Sequence, residues 1–312
     1  MKTRITPHLR RKIQAGSSAV LKQFYPQILT ESMFGSSDPL EEETRYSPVK
    51  GLIHKYSNRV LWKVTYRCAA HCQMCTRIRQ IGTPGGDLSD SDITAGIRYL
   101  YVHPEVDDVI LSGGDPLYAP SSCVKIINGL ATVSSVKVVR IGTRLPVHTP
   151  RSMASRQVKD VFKTLKENSS RFVSYILVHT NHPDELDAEV IGSLVSLRES
   201  GFPVLSQSVF LRGVNDDADT LERLFKRLYY AGITPYYIYR CDYVKGLEHY
   251  VCDLKKEREI MTALQARMSG IALPMYVVDI AGGVGKIPVP LGFWEVPDLA
   301  HCRDYNGRNV PL

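Results

Sequence analysis

Apolar and β-branched residues gather in short runs at 60–66 (VLWKVTY), 108–112 (DVILS), 137–142 (KVVRIG), 172–178 (FVSYILV), 204–211 (VLSQSVFL) and 233–239 (ITPYYIY). Between them, near 90–101, 121–132, 155–167, 185–200 and 217–231, apolar positions recur every three or four residues. That is the periodicity of helices buried along one face. The stretch DADTLERLFKRLYYAG shows it most plainly, with an acidic start and a stop at Gly232. Strand–helix alternation builds a parallel sheet through crossovers. Six such units predict an α/β fold, either a partial barrel or a doubly wound sheet. A further helix near 253–269 leads to a last strand, PMYVVD, at 274–279. Residues 1–50 read as a helical arm, broken at Pro26, followed by a polar connector. In a parallel barrel, chemistry belongs at the C-terminal ends of strands.

Composition narrows the class. The 312 residues are 44% hydrophobic and 23% charged, enough apolar side chain for a large core, which excludes disorder as the main state. No run reaches the ~18 apolar residues of a membrane helix. The first residues, MKTRITPHLRRKIQ, are basic but lack an apolar core, so the expectation is a cytoplasmic protein without a signal peptide. The net charge of +7 is spread without a polybasic run, and neither nucleic acid nor membrane is expected as a partner. The cysteines number seven, an odd count, and three crowd into YRCAAHCQMCTR as Cys68, Cys72 and Cys75. A secreted disulfide framework is more evenly spaced.

Three segments carry candidate chemistry. The C-x3-C-x2-C loop follows the first strand of the series and offers three thiolates to one metal centre. Structural zinc needs a fourth ligand that is not evident here, whereas a [4Fe–4S] cluster held by three cysteines keeps one iron open. This pattern is that of the radical S-adenosylmethionine (SAM) superfamily. LSGGDPL, at the end of the next strand, sets Ser112, Gly113, Gly114 and Asp115 where backbone can approach a ligand and Asp115 can meet an ammonium. VVDIAGGVGKIP ends the last strand. As a phosphate-binding P-loop it fails at Ile280 and Ile287. A lysine on a glycine-rich loop, Lys286, instead suits Schiff-base chemistry with pyridoxal phosphate.

Together with DPLEEE, SPVKGLIHKYSNRVLWKVTYRC, VRIGTRLPV, VHTNHPDEL, SQSVFLRGVND, PYYIYRCD and GLEHY, these segments resemble the lysine 2,3-aminomutase family of radical SAM, pyridoxal-phosphate enzymes, from about residue 30 to residue 290. The resemblance implies a partial (β/α)6 barrel over 51–240, an arm and connector over 1–50, and an extension over 241–312 that carries the cofactor lysine. It gives Cys68, Cys72 and Cys75 to the cluster and Ser112, Gly113, Gly114, Asp115 and His179 to SAM. Lys286 would hold pyridoxal phosphate, and Lys55, Arg59 and Gln207 its phosphate. Tyr239 would lie between the cofactors. Arg77 would bind the substrate carboxylate, and Asp242 and Asp279 its distant ammonium. Paired acids in one pocket demand a cation between them, which favours a lysine substrate, or arginine, over glutamate.

Several positions depart from the family pattern. Lys55 stands for a common arginine, Met74 for an aromatic, Ala281 and Val284 for a proline and a glycine. Arg240 is placed to pair with Asp242. Asp217 replaces a zinc-ligating cysteine, so no structural zinc is expected. The implied reaction is a 1,2-amino shift started by a hydrogen-abstracting radical, giving β-lysine or, alternatively, β-arginine. It needs an electron donor such as flavodoxin or ferredoxin, and leaves a homo-oligomer possible. A rival from another class is a non-catalytic iron–sulfur carrier.

Overall fold

Along the parallel strands every second side chain is sealed under helices, while the residues between face an inner hollow. The computed structural model describes residues 3–26, 35–280, 285–293, 300–303 and 307–311. The elements are α1 (Pro7–Gln14), α2 (Ser18–Phe24), β1 (Leu52–Tyr56), β2 (Arg59–Thr65), α3 (Asp90–Tyr101), β3 (Asp108–Gly113), α4 (Pro120–Leu130), β4 (Val138–Thr143) and α5 (Leu145–His148). They continue as α6 (Arg156–Glu167), β5 (Val173–His179), α7 (Ala188–Glu199), β6 (Val204–Val209), α8 (Ala218–Tyr230), β7 (Thr234–Tyr239), α9 (Leu254–Arg267), β8 (Met275–Asp279), β9 (Lys286–Pro288), β10 (His301–Arg303) and β11 (Asn309–Pro311).

Strands β1 to β9 form one sheet in sequence order. Neighbours from β2 to β8 are parallel, and β1 and β9 flank them antiparallel. In this linear order the edges do not pair with each other, and the sheet is a curled half-barrel, one of the two arrangements that the six-unit alternation predicts. Two strands escape that pattern: β1 is half polar and β9 is three residues long. Both carry site residues. The hairpin β10–β11 lies outside the main sheet.

Local signals explain the helices. Ser89 and Asp92 form a reciprocal cap on α3, and Ser155, Asp187, Asp217 and Asp253 each accept a first-turn N–H of α6, α7, α8 and α9. Asp217 therefore has a structural task, capping α8 through Thr220 N at 2.8 Å. In the arm, α2 stops at Phe24. Tyr25 is extended, as expected of the residue before Pro26. Leu9, Val20 and Phe24 bury themselves against Ala70 of the cysteine loop, and the arm's Gln23 O accepts Gln73 N at 2.8 Å. Ala281 and Val284 lie outside the described residues. Among the described residues no helix is long and apolar enough to cross a membrane.

The β2–α3 packing is tight. Trp62 is fully buried, and a Cβ on Gly96 of α3 would fall 2.3 Å from its ring. Alanine normally improves a helix interior by about 1 kcal/mol over glycine. Here overpacking against a fixed ring outweighs that gain. Gly96→Ala is expected to lower unfolding free energy by roughly 1–3 kcal/mol in denaturant titration; a more stable variant would contradict this packing.

Candidate active site

The inward-facing residues of the half-barrel line a cavity of about 440 Å³. Period two selects them: Asp108, Ile110 and Ser112 from β3, Arg140 and Gly142 from β4, Gln207 and Val209 from β6, Tyr237 and Tyr239 from β7. Lys55, Arg59, Arg77, Asp242, Asp279 and Lys286 complete the wall. The fold thus gathers nine residues expected at the site into one space: Lys55, Arg59, Arg77, Ser112, Gln207, Tyr239, Asp242, Asp279 and Lys286. A larger groove of about 900 Å³ runs outside the barrel between α6 and α7 and shares none of them.

Asp279 is the electrostatic centre. It ends β8 and faces Lys286 directly across the antiparallel pair with β9, a register that holds opposite Cβ atoms about 5 Å apart. Lys286 Nζ reaches Asp279 Oδ2 at 2.9 Å, and Lys55 Nζ reaches Oδ1 at 3.1 Å. Burial works against the Asp279 charge, but Lys286 and Lys55 outweigh it and keep the carboxyl below its usual range. Burial likewise opposes the Lys286 ammonium, and Asp279 overcomes it, driving the amine well above an ordinary lysine. Lys286 also donates to Tyr56 Oη at 3.3 Å.

Asp242 is the opposite case. Burial, then the Asp279 charge, push its carboxyl up to about 7 against the pull of Lys286 and Lys55. Arg240 does not relieve it. This corrects the expected Arg240–Asp242 pair: strand alternation turns Arg240 outward, onto Glu257 of α9 at 2.9 Å and Tyr243 Oη at 3.1 Å. Gln207 Nε2 donates to Tyr239 Oη at 3.1 Å, and Lys286 Nζ stands 5.8 Å from the Tyr239 ring. Arg59 stacks on Tyr56 at 3.7 Å.

Arg77 is half-buried and held by Glu42, with Nε–Oε2 at 2.7 Å and Nη2–Oε1 at 2.5 Å. Glu42 belongs to the connector, which is fastened by Asp38 to Arg79 at 2.9 Å and by Ser36 beside Val244. A carboxylate therefore already grips the fork expected to receive substrate. Glu42, Tyr56, Asp108 and Arg140 were not among the expected site residues. The alternation of Asp108 with Ser112, and of Arg140 with Gly142, is the signal that marks two of them.

At the other end of β2, the cysteine loop leaves the sheet. Gly114 N and Asp115 N donate to Thr65 O and Arg67 O at 2.6 and 2.9 Å, and added Cβ atoms on Gly113 and Gly114 would lie 2.7 and 2.4 Å from those same oxygens. These glycines are thus required by protein backbone. The Asp115 carboxylate turns inward and accepts Thr143 Oγ1, Arg144 N and Leu117 N at 2.8, 2.8 and 3.1 Å. Those three protein donors already bond the carboxylate that was expected to meet an ammonium. His179 ends β5 with Nε2 3.0 Å from Asn181 Oδ1, and burial pushes it down to about 3, so it is neutral. Neither Asp115 nor His179 lines the cavity.

Burial raises all three loop thiols, Cys75 to about 11. Cys68 and Cys75 are near enough to the other thiols for those charges to raise them further. Among the described residues no three His, Cys, Asp or Glu side chains are drawn together at metal-holding distance. Cys72 Sγ receives Arg144 Nη1 at 3.0 Å. Cys123, Cys241 and Cys252 are buried elsewhere, and Cys302 lies in β10.

The chain is thus a parallel half-barrel with a cysteine loop at the end of its first parallel strand. Its fold is matched by a radical SAM methyltransferase from Sphaerobacter thermophilus, with TM-score 0.50 and 16% identity over 75% of this chain and 69% of that one. Sequence relatives are more specific. The chain is 36% identical over 313 residues to an L-lysine 2,3-aminomutase of Methanococcus maripaludis, covering 97% of this chain and 70% of that one. It is 37% identical to that of Clostridium subterminale (91% and 68%) and 36% to that of Escherichia coli K12 (82% and 72%). No protein-family model matches. The chain belongs to the lysine 2,3-aminomutase family, and is an isomerase.

The Asp279 clamp has a kinetic consequence. Lys286 must lose its proton before its amine can attack an aldehyde, and Asp279 opposes that loss. Asp279→Asn is expected to speed imine formation between Lys286 and added pyridoxal phosphate at pH 7, followed by absorbance and trapped by borohydride. A rate unchanged or slower than in the parent would contradict the clamp.

Proposed function

We propose that the chain moves the α-amino group of L-lysine from C2 to C3, giving β-lysine, with a [4Fe–4S] cluster, SAM and pyridoxal phosphate as cofactors. The observation that carries this reading is the carboxylate pair in the cavity. Asp279 is held between two lysines, whereas Asp242 beside it has no salt-bridge partner among the described residues and its carboxyl is pushed up to about 7. A substrate ammonium placed there restores the balance, and a neutral or acidic side chain does not.

The donor sets suit the cofactors. Three soft thiols on one loop, with a guanidinium aimed at one sulfur, fit an iron–sulfur cluster. A cavity of about 440 Å³ bearing Lys286, the cations Lys55 and Arg59, and Gln207 fits a phosphorylated aldehyde. When bound, the cluster with SAM supplies radical chemistry and pyridoxal phosphate supplies the conjugation that lets nitrogen migrate. The protein's tasks are positional. Lys286 anchors the cofactor, Lys55, Arg59 and Gln207 take its phosphate, and Tyr239 separates the two reacting groups. Ser112, Gly113, Gly114, Asp115 and His179 shape the SAM end. Arg77 takes the substrate carboxylate once Glu42 yields its place. A flavodoxin- or ferredoxin-type protein supplies the electron, and the reaction is placed in the cytoplasm.

The direct test is anaerobic incubation with SAM, pyridoxal phosphate, dithionite and each of lysine, arginine, ornithine and glutamate, with products read by mass spectrometry. β-Lysine is expected. β-Arginine alone would move the substrate assignment, and no β-amino acid from any of them would overturn the reading. Lys286→Ala is expected to retain iron and lose both pyridoxal phosphate absorbance and product; an active variant would refute the anchor.

Asp242 also sets a pH dependence. Its carboxyl sits near 7 in the fold, above its ordinary 3.8. An ammonium ligand favours the ionised form, so binding below pH 7 releases a proton. Lysine affinity is expected to weaken by up to about tenfold per unit as pH falls below 7. Asp242→Asn is expected to bind more weakly above pH 7 and to flatten the profile. Calorimetry in buffers of different ionisation enthalpy reads the proton, and no release in the parent would contradict the assignment.

A further inference from the structure

Cys72 is touched by a buried cation that none of the expected roles uses. Arg144 follows β4 and is 5% exposed. Its Nη1 donates to Cys72 Sγ at 3.0 Å, and its Nη2 donates to Gln23 Oε1 at 2.7 Å and Glu185 Oε2 at 2.8 Å. Each anchor is itself fixed. Glu185 is fully buried and its Oε1 accepts Asn181 N, His182 N and Gln23 Nε2 at 2.9–3.0 Å. Gln23 comes from α2 of the arm, and Glu185 from the loop after β5. The guanidinium is therefore aimed at the sulfur by groups from two elements other than its own.

Adding one electron to an iron–sulfur cluster increases the negative charge shared by its thiolate ligands. A cationic donor on one of those sulfurs stabilises the reduced form more than the oxidised form and raises the potential. Glu185 works the other way. It bonds the other terminal nitrogen of the guanidinium, offsets part of the positive charge and limits the rise.

We propose that Arg144 is a positioning residue that sets the reduction potential of the cluster through its hydrogen bond to Cys72, with Glu185 as a counterweight. This rests on the assignment of Cys68, Cys72 and Cys75 to the cluster. It also gives the arm a task, since Gln23 is one of the two groups that orient the guanidinium.

The test is the midpoint potential of the reconstituted full-length protein, titrated anaerobically with dithionite and followed by electron paramagnetic resonance, with iron content measured in parallel. Arg144→Lys keeps a cation but cannot span both Cys72 and Glu185. It is expected to make reduction at least tenfold less favourable, about 59 mV for one electron. Glu185→Gln removes the counterweight and is expected to shift the potential the opposite way. A purely structural role for Arg144 moves neither potential in a fully loaded protein, and that result would overturn the proposal. Should Arg144→Lys fail to fold or load iron, Glu185→Gln decides by the sign of its shift. If neither variant loads, ¹⁵N-arginine coupling to the reduced cluster in the parent protein decides, and its absence refutes the contact. A parent protein that binds no iron refutes the cluster assignment itself.

Discussion

Asp279 carries a negative charge at the inner edge of a protein core, with Lys286 on one oxygen and Lys55 on the other. Much of the concave face is organised by that charge. It keeps Lys286 protonated, adds to burial in raising Asp242, and stands opposite Lys286 where β9 pairs with β8. Removing one partner from a buried ion pair typically costs about 3–5 kcal/mol. Any chemistry that takes the charge off Lys286 must therefore bring another cation to Asp279. On the proposed function the substrate's own ammonium fills that place, so loading the cofactor and selecting the substrate are two sides of one charge balance.

The scaffold was largely legible because it depends on periodicity. Each apolar run from 60–66 to 274–279 became a strand, and each helical stretch between them a helix. The same period of two brought Asp108, Ser112, Arg140, Gln207 and Tyr239 to one face. What stayed hidden was non-local. β1 and β9 have little apolar signature, yet their edge positions supply Lys55 and Lys286. The Glu42–Arg77 pair joins residues 35 positions apart through a polar connector. Arg240 shows the same limit: nearness in sequence suggested Asp242, and strand geometry turned it to Glu257. Gly113 and Gly114 stand at the end of β3 and answer first to the backbone of residues 63–67.

The two ends of the molecule divide the work between charge and contact. Inside the hollow, cations and acids are arranged so that a ligand completes them. At the cysteine loop, the arm and the loop after β5 brace a single guanidinium against one sulfur. The connector links these regions, since the strap that carries Glu42 begins beside Val244 and ends at His54 of β1. A segment that reads as linker in the sequence thus supplies part of the cavity wall through Leu40 and Glu42.

The central claim is that a cation in the ligand completes the Asp242–Asp279 pair. It is tested most directly by comparing the affinities of the pyridoxal-phosphate-loaded protein for L-lysine and for L-norleucine, which matches lysine's chain but lacks its ammonium. A buried acid left without its partner is strongly penalised. Lysine is therefore predicted to bind on the order of a hundredfold or more tightly at pH 8. Equal affinity for the two would contradict the account.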